Sequence, residues 1–228
     1  MKPKTIGKIV IDVLLTAGLL LLMAYELIGQ AVHEWIGVGM FLLCIMHHLL
    51  NWPWVSHVMN GKYTAYRMLQ TAIAALVFLS MVGLMISGVS LSGHVFKFLS
   101  ISDSLSFART LHLLCAFWGF VLMSVHIGLH LSMLSGVLRK LFHLGKPTAS
   151  QTRLLRTTAF LIAAYGSYAF YQRQIGSYLF LQNEFVFFDF NEPLAAFFAD
   201  YLAIMGLFAG IGYYVSKLFL PKETQLPS

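Results

Sequence analysis

Six apolar runs, separated by short polar interruptions, take up most of the chain: 9–29, 33–52, 67–90, 109–136, 154–172 and 194–217. A helix crossing a bilayer needs about 20 predominantly apolar residues. The pattern therefore predicts an all-α integral membrane helical bundle with about six transmembrane helices. Lys2, Lys4 and Lys8 precede the first run and give it the look of a signal peptide, but its length and the lack of a convincing small-x-small site predict an uncleaved span. The second run ends at Asn51-Trp52-Pro53-Trp54, where a proline and two aromatics mark a membrane edge.

The interruptions differ in character. Residues 55–66 form a short polar loop, and 91–108 a Ser-rich one with His94, Lys97 and Asp103. Five basic residues (Arg139, Lys140, Lys146, Arg153 and Arg156) crowd the connection before the fifth run. Residues 173–193 are the longest non-spanning stretch, aromatic enough to lie in the headgroup layer. The whole of 1–228 reads as a single membrane domain, with four spans within 1–136 and two further spans, with their aromatic loop, in 137–228.

Composition agrees with this reading, at 58% hydrophobic and only 11% charged residues; soluble domains carry about a quarter charged. The net charge of +6 does not indicate nucleic acid, because the basic residues sit at the ends of apolar runs and not on one polar face. They report topology instead. With both termini in the cytoplasm, only Lys97, Arg109 and Arg173 of the fifteen Lys and Arg fall outside, a strong bias under the positive-inside rule. Cys44 and Cys115 both lie in apolar runs and read as small buried hydrophobes, neither a disulfide framework nor a zinc site. No Cys-x-x-Cys-His occurs, so covalent c-type heme attachment is excluded.

Histidines carry the candidate chemistry. His33 and His47 open and close the second run, His112 and His126 do the same in the fourth, and both pairs are fourteen residues apart. On a helix that offset leaves two side chains within about 40° of one face and about 21 Å apart along the axis. An imidazole in hydrocarbon is costly unless its nitrogens find partners, and heme iron is one such partner. The pattern predicts two b-type hemes stacked between these helices, with His33 and His112 as outer ligands and His47 and His126 as inner ones. His48, adjacent to His47, and His130, one turn beyond His126, are the alternatives at the inner level. Aligning the two runs also matches Phe41 with Phe120, Leu43 with Leu122 and Leu50 with Leu129, a weak internal repeat.

Other residues enter as supporting candidates. Arg109 could pair with heme propionates, and Gly119, like Gly37 and Gly39, could let a porphyrin edge approach the backbone. Trp35 and Trp118 could pack on porphyrins. Glu26 and Glu34 read first as capping or surface-reaching residues and second as proton relays. His57, His94 and His143 read as solvated loop side chains, Tyr165, Tyr168 and Tyr171 as a packing stripe, and the eleven methionines as filler.

Several of these stretches resemble a known family. His33-Glu34-Trp35-Ile36-Gly37, His47-His48-Leu49-Leu50-Asn51-Trp52, Arg109-Thr110-Leu111-His112 and His126-Ile127-Gly128-Leu129-His130 resemble the motifs of the bacterial flavinylation-associated cytochromes. Phe187-Phe188-Asp189-Phe190-Asn191-Glu192-Pro193 resembles a segment of their fuller members. A more distant similarity is to the cytochrome b subunits of formate dehydrogenases and hydrogenases. The resemblance implies a heme b protein of the bacterial cytoplasmic membrane that exchanges electrons with quinone or quinol and with a separate extracytosolic redox protein carrying FMN. Such a chain is an electron-transfer subunit rather than a stand-alone enzyme. Two other classes stand beside it: a heme-free structural or assembly subunit whose histidines satisfy one another, and a metal transporter, which is disfavoured because the spans are expected to lack the intramembrane carboxylates that normally accompany such paths.

Overall fold

The computed structural model describes residues 3–99 and 105–219; Lys2 and Asp103 lie outside the described residues. Within them the chain is all-helical, and five helices are long and apolar enough to span a membrane. These are α1 (Pro3–Met23), α3 (Gln30–Leu50), α5 (Ala65–Leu91), α6 (Leu105–Leu141) and α9 (Leu194–Phe219). The fifth sequence run forms α7 (Ala149–Gln172), 24 residues long but less apolar than the other five. Short helices α2 (Tyr25–Ile28), α4 (Trp52–Ser56) and α8 (Ile175–Leu179), and a 3-10 turn at Lys97–Leu99, occupy the connections.

Local chemistry moves several boundaries from where hydropathy put them. The first run is not one helix to residue 29. It breaks at Ala24 (φ −91°, ψ 36°), and Gly29 at φ +76° redirects the chain into α3. That left-handed conformation suits glycine because it has no Cβ. α7 begins at Ala149, ahead of the run, because Thr148 and Gln151 form a reciprocal capping box. Pro53 sits in the first turn of α4, where its missing N–H costs nothing.

Two compact units divide the chain. One comprises residues 1–62, 78–119 and 176–198, the other 63–77, 120–175 and 199–228, so α5, α6 and α9 contribute to both. In the first unit α1 lies against α3, with Met40 of α3 seated over Gly18 of α1. α5 packs on the first part of α6, where Gly83 meets Cys115 and Gly119 meets Ser80. Trp118 donates its indole N–H to the Leu179 carbonyl at 2.9 Å, and Phe117 stacks on Tyr178 with ring centroids 4.5 Å apart. α8 and the aromatic segment after it are thereby fastened to α6, while Phe180, Phe185, Phe187 and Phe190 stay exposed.

In the second unit, glycine brings helix backbones into contact. A Cβ at Gly128 would strike the Ala209 carbonyl, one at Gly212 the Val125 carbonyl, and one at Gly166 the Ala203 carbonyl. Small residues at helix crossings are the usual means of close packing in lipid, where the hydrophobic effect gives no drive for helices to associate. Phe120 against Tyr201 and Phe170 against Phe208 fill the space beside those crossings.

Candidate functional site

The first unit brings His33 and His112 together, with ring centroids 6.1 Å apart and planes tilted by 59°. His33 stands one turn into α3, its backbone N–H bonded to the Gly29 carbonyl, so the turn at Gly29 sets where the imidazole begins. His112 stands two turns into α6 and has its Nδ1 3.0 Å from the Ser87 hydroxyl oxygen of α5. Ser87 is almost completely buried, and its own proton goes back to the Gly83 carbonyl at 2.7 Å. Its oxygen is then the acceptor for His112 Nδ1–H. The network therefore places the free lone pair of His112 on Nε2, the arrangement in which a second residue orients a ligating imidazole. His33 Nδ1 is buried without a hydrogen-bond partner, and Tyr25 lies edge-on to its ring at 5.0 Å.

This pair can be tested against what a heme would need. With metal–imidazole bonds of about 2 Å, two imidazoles on opposite sides of one iron have ring centroids about 6 Å apart, close to the separation here. An orphaned buried nitrogen, a ring whose tautomer exposes Nε2, and that spacing all fit the group. Among the described residues no set of three or more His, Cys, Asp or Glu gathers as a metal cluster. Heme needs only two protein ligands, because the porphyrin supplies the other four.

Near the other end of α3 the two adjacent histidines have different neighbours. His47 Nδ1 is 2.8 Å from Asp12 Oδ1 of α1, and Asn51, whose Oδ1 accepts from Lys8 Nζ at 2.7 Å, has its Nδ2 3.5 Å from His47 Nε2. His48 Nδ1 donates to the Cys44 carbonyl at 2.8 Å, and its ring meets Phe78 of α5 edge-on at 5.3 Å. His126 and His130 belong to the second unit, where their rings pack against each other at 4.9 Å.

The supporting candidates fall into place one by one. Arg109 is exposed, three residues before His112. Gly119 backs onto α5, where an added Cβ would stand 3.4 Å from Ser80 Cβ, whereas Gly37 and Gly39 border open space. Trp35 is exposed and Trp118 is engaged with α8. Glu26 is exposed. Glu34 is a cap for the loop after α5: its carboxylate accepts from the Ser92 hydroxyl at 2.6 Å and from the backbone N–H groups of Gly93, His94 and Val95 at 2.8–3.0 Å. His57, His94 and His143 are exposed, as are Tyr165, Tyr168 and Tyr171.

Contrary to the expectation that the spans lack carboxylates, two lie inside span helices, Asp12 in α1 and Asp200 in α9. Asp12 pairs with His47. Asp200 of α9 takes Arg173 Nε and Nη2 at 2.9 Å each and the Tyr165 hydroxyl at 2.5 Å. Each is the only acid of its helix, and an isolated acid at membrane depth is the signal that could have marked them. Both are engaged by partners. No family model, curated protein or solved structure matches the chain.

Proposed function

We propose that the protein is a di-heme b-type cytochrome of the bacterial cytoplasmic membrane, passing electrons between the quinone pool and a separate extracytosolic redox partner, a flavoprotein carrying FMN in the family whose motifs it resembles. The observation that carries this reading is the His33–His112 pair, at 6.1 Å and with Ser87 fixing the His112 tautomer. His33 and His112 would hold one heme. α3 carries candidate donors for the second in His47 and His48.

When bound, heme supplies reversible one-electron chemistry at iron, and two imidazole ligands leave no open position for oxygen. The chain's own residues do the rest. Ser87 holds His112 in its ligating tautomer, the turn at Gly29 places His33, and an offset of fourteen or fifteen residues sets the two ligand levels about 21–23 Å apart along α3. Quinone and quinol are the lipid-soluble carriers that such a chain meets in the bilayer.

Orientation follows from the basic residues. Both termini in the cytoplasm require six crossings, so α7 crosses along with the five more apolar helices, and the His33–His112 level then faces outward. At 24 residues α7 would be about 36 Å long, enough to cross. Replacing His112 by Ala tests the assignment: heme per polypeptide should fall to about half that of the unaltered chain. Unchanged heme content would remove His112 from the site.

A further inference from the structure

α3 presents His47 and His48 side by side, and the first unit distinguishes them. A helix turns about 100° per residue, so relative to His33 the side chain of Met40 points about 20° to one side, His47 about 40° to that same side, and His48 about 60° to the other. Met40 is seated over Gly18 of α1, and His47 reaches Asp12 of α1, so that side faces α1. His48 meets Phe78, so the other side faces α5. α5 is the helix that packs on the first part of α6 and holds His112 through Ser87.

The ring nitrogens separate the two in the same way. His47 has one nitrogen on the Asp12 carboxylate and the other beside the Asn51 amide, which Lys8 holds in turn. His48 Nδ1–H is taken by the carbonyl four residues back, a bond within its own helix that leaves the Nε2 lone pair free. That is the tautomer Ser87 imposes on His112.

We propose that His48, not His47, is the second heme ligand from α3, and that Asp12 and Asn51 hold His47 as a polar tether between α1 and α3. The assignment rests on the cytochrome reading and deepens it. Fourteen-residue spacing favours His47 in the sequence, because spacing alone does not register which neighbour occupies each face.

The experiment is heme per polypeptide, by pyridine hemochrome, for the unaltered chain and for H47Q, D12N and H48Q, all purified from heme-replete cells. H47Q and D12N should keep the full ratio, and H48Q should lose one of two hemes. An H48G chain given imidazole should regain the low-spin absorbance of the missing heme, which separates ligand loss from misfolding. Loss of a heme from H47Q, or a full complement in H48Q, overturns the assignment while leaving a cytochrome. An unaltered chain without heme is a different result, and sinks the cytochrome reading itself.

Discussion

Ser87 shows how much one hydroxyl can decide. It links the Gly83 carbonyl to His112 Nδ1, and so chooses the nitrogen that is left to bind. Orienting partners of this kind typically change metal affinity 10–100-fold when removed. In the proposed cytochrome, Ser87→Ala should therefore weaken retention of a heme held by His33 and His112 by about 10-fold, read as faster heme loss to an apoprotein acceptor; retention equal to that of the unaltered chain would deny Ser87 that role. Glu34 acts on structure alone, gathering four donors of the 92–95 loop. Because the site is partly solvated, Glu34→Ala should cost about 1–2 kcal/mol, seen as a lower thermal midpoint with heme stoichiometry unchanged; an unchanged midpoint would contradict the capping role. The histidines were legible in the sequence because buried imidazoles are rare and their spacing is exact to the residue. Ser87 was not, because a serine in a span reads as a small neutral residue until its neighbour is known.

At the scale of elements, glycine and the two span carboxylates do the joining. Gly212 and Gly210 sit two residues apart on α9 and make a controlled comparison: a Cβ at Gly212 would run into the Val125 carbonyl, while one at Gly210 meets nothing within 4 Å. Gly212→Ala should destabilise by about 1–3 kcal/mol, whereas Gly210→Ala should be neutral or stabilise by up to about 1 kcal/mol through helix propensity. Equal effects in a thermal melt of the two variants would contradict the close crossing of α6 and α9. Asp200 and Arg173 pair at largely buried positions, with the exposed Tyr165 hydroxyl joined to the same carboxylate, and Asp200→Ala should cost about 2–4 kcal/mol by taking the carboxylate from a guanidinium. Hydropathy located all six long helices, with ends displaced by up to about six residues. It could not see the break at Ala24 or the capping box at Thr148, because both depend on backbone dihedrals and hydrogen bonds that a run of apolar residues does not encode. Gly128 lay inside a recognised histidine motif, yet its packing against Ala209 is a contact distant in sequence, visible only once α9 is in place.

For the whole molecule the account turns on membrane topology and on what the histidines hold. If α7 crosses, the two termini share the cytoplasmic face, and a reporter active only in the cytoplasm should work at either end; activity at one end alone would mean five crossings and would reverse the placement of the basic residues at the C-terminal end. The central claim is tested most directly by pyridine hemochrome analysis of the purified, unaltered protein together with its reduced-minus-oxidised visible spectrum. Two hemes per polypeptide with a b-type spectrum is the predicted result. A colourless preparation from heme-replete cells would contradict it.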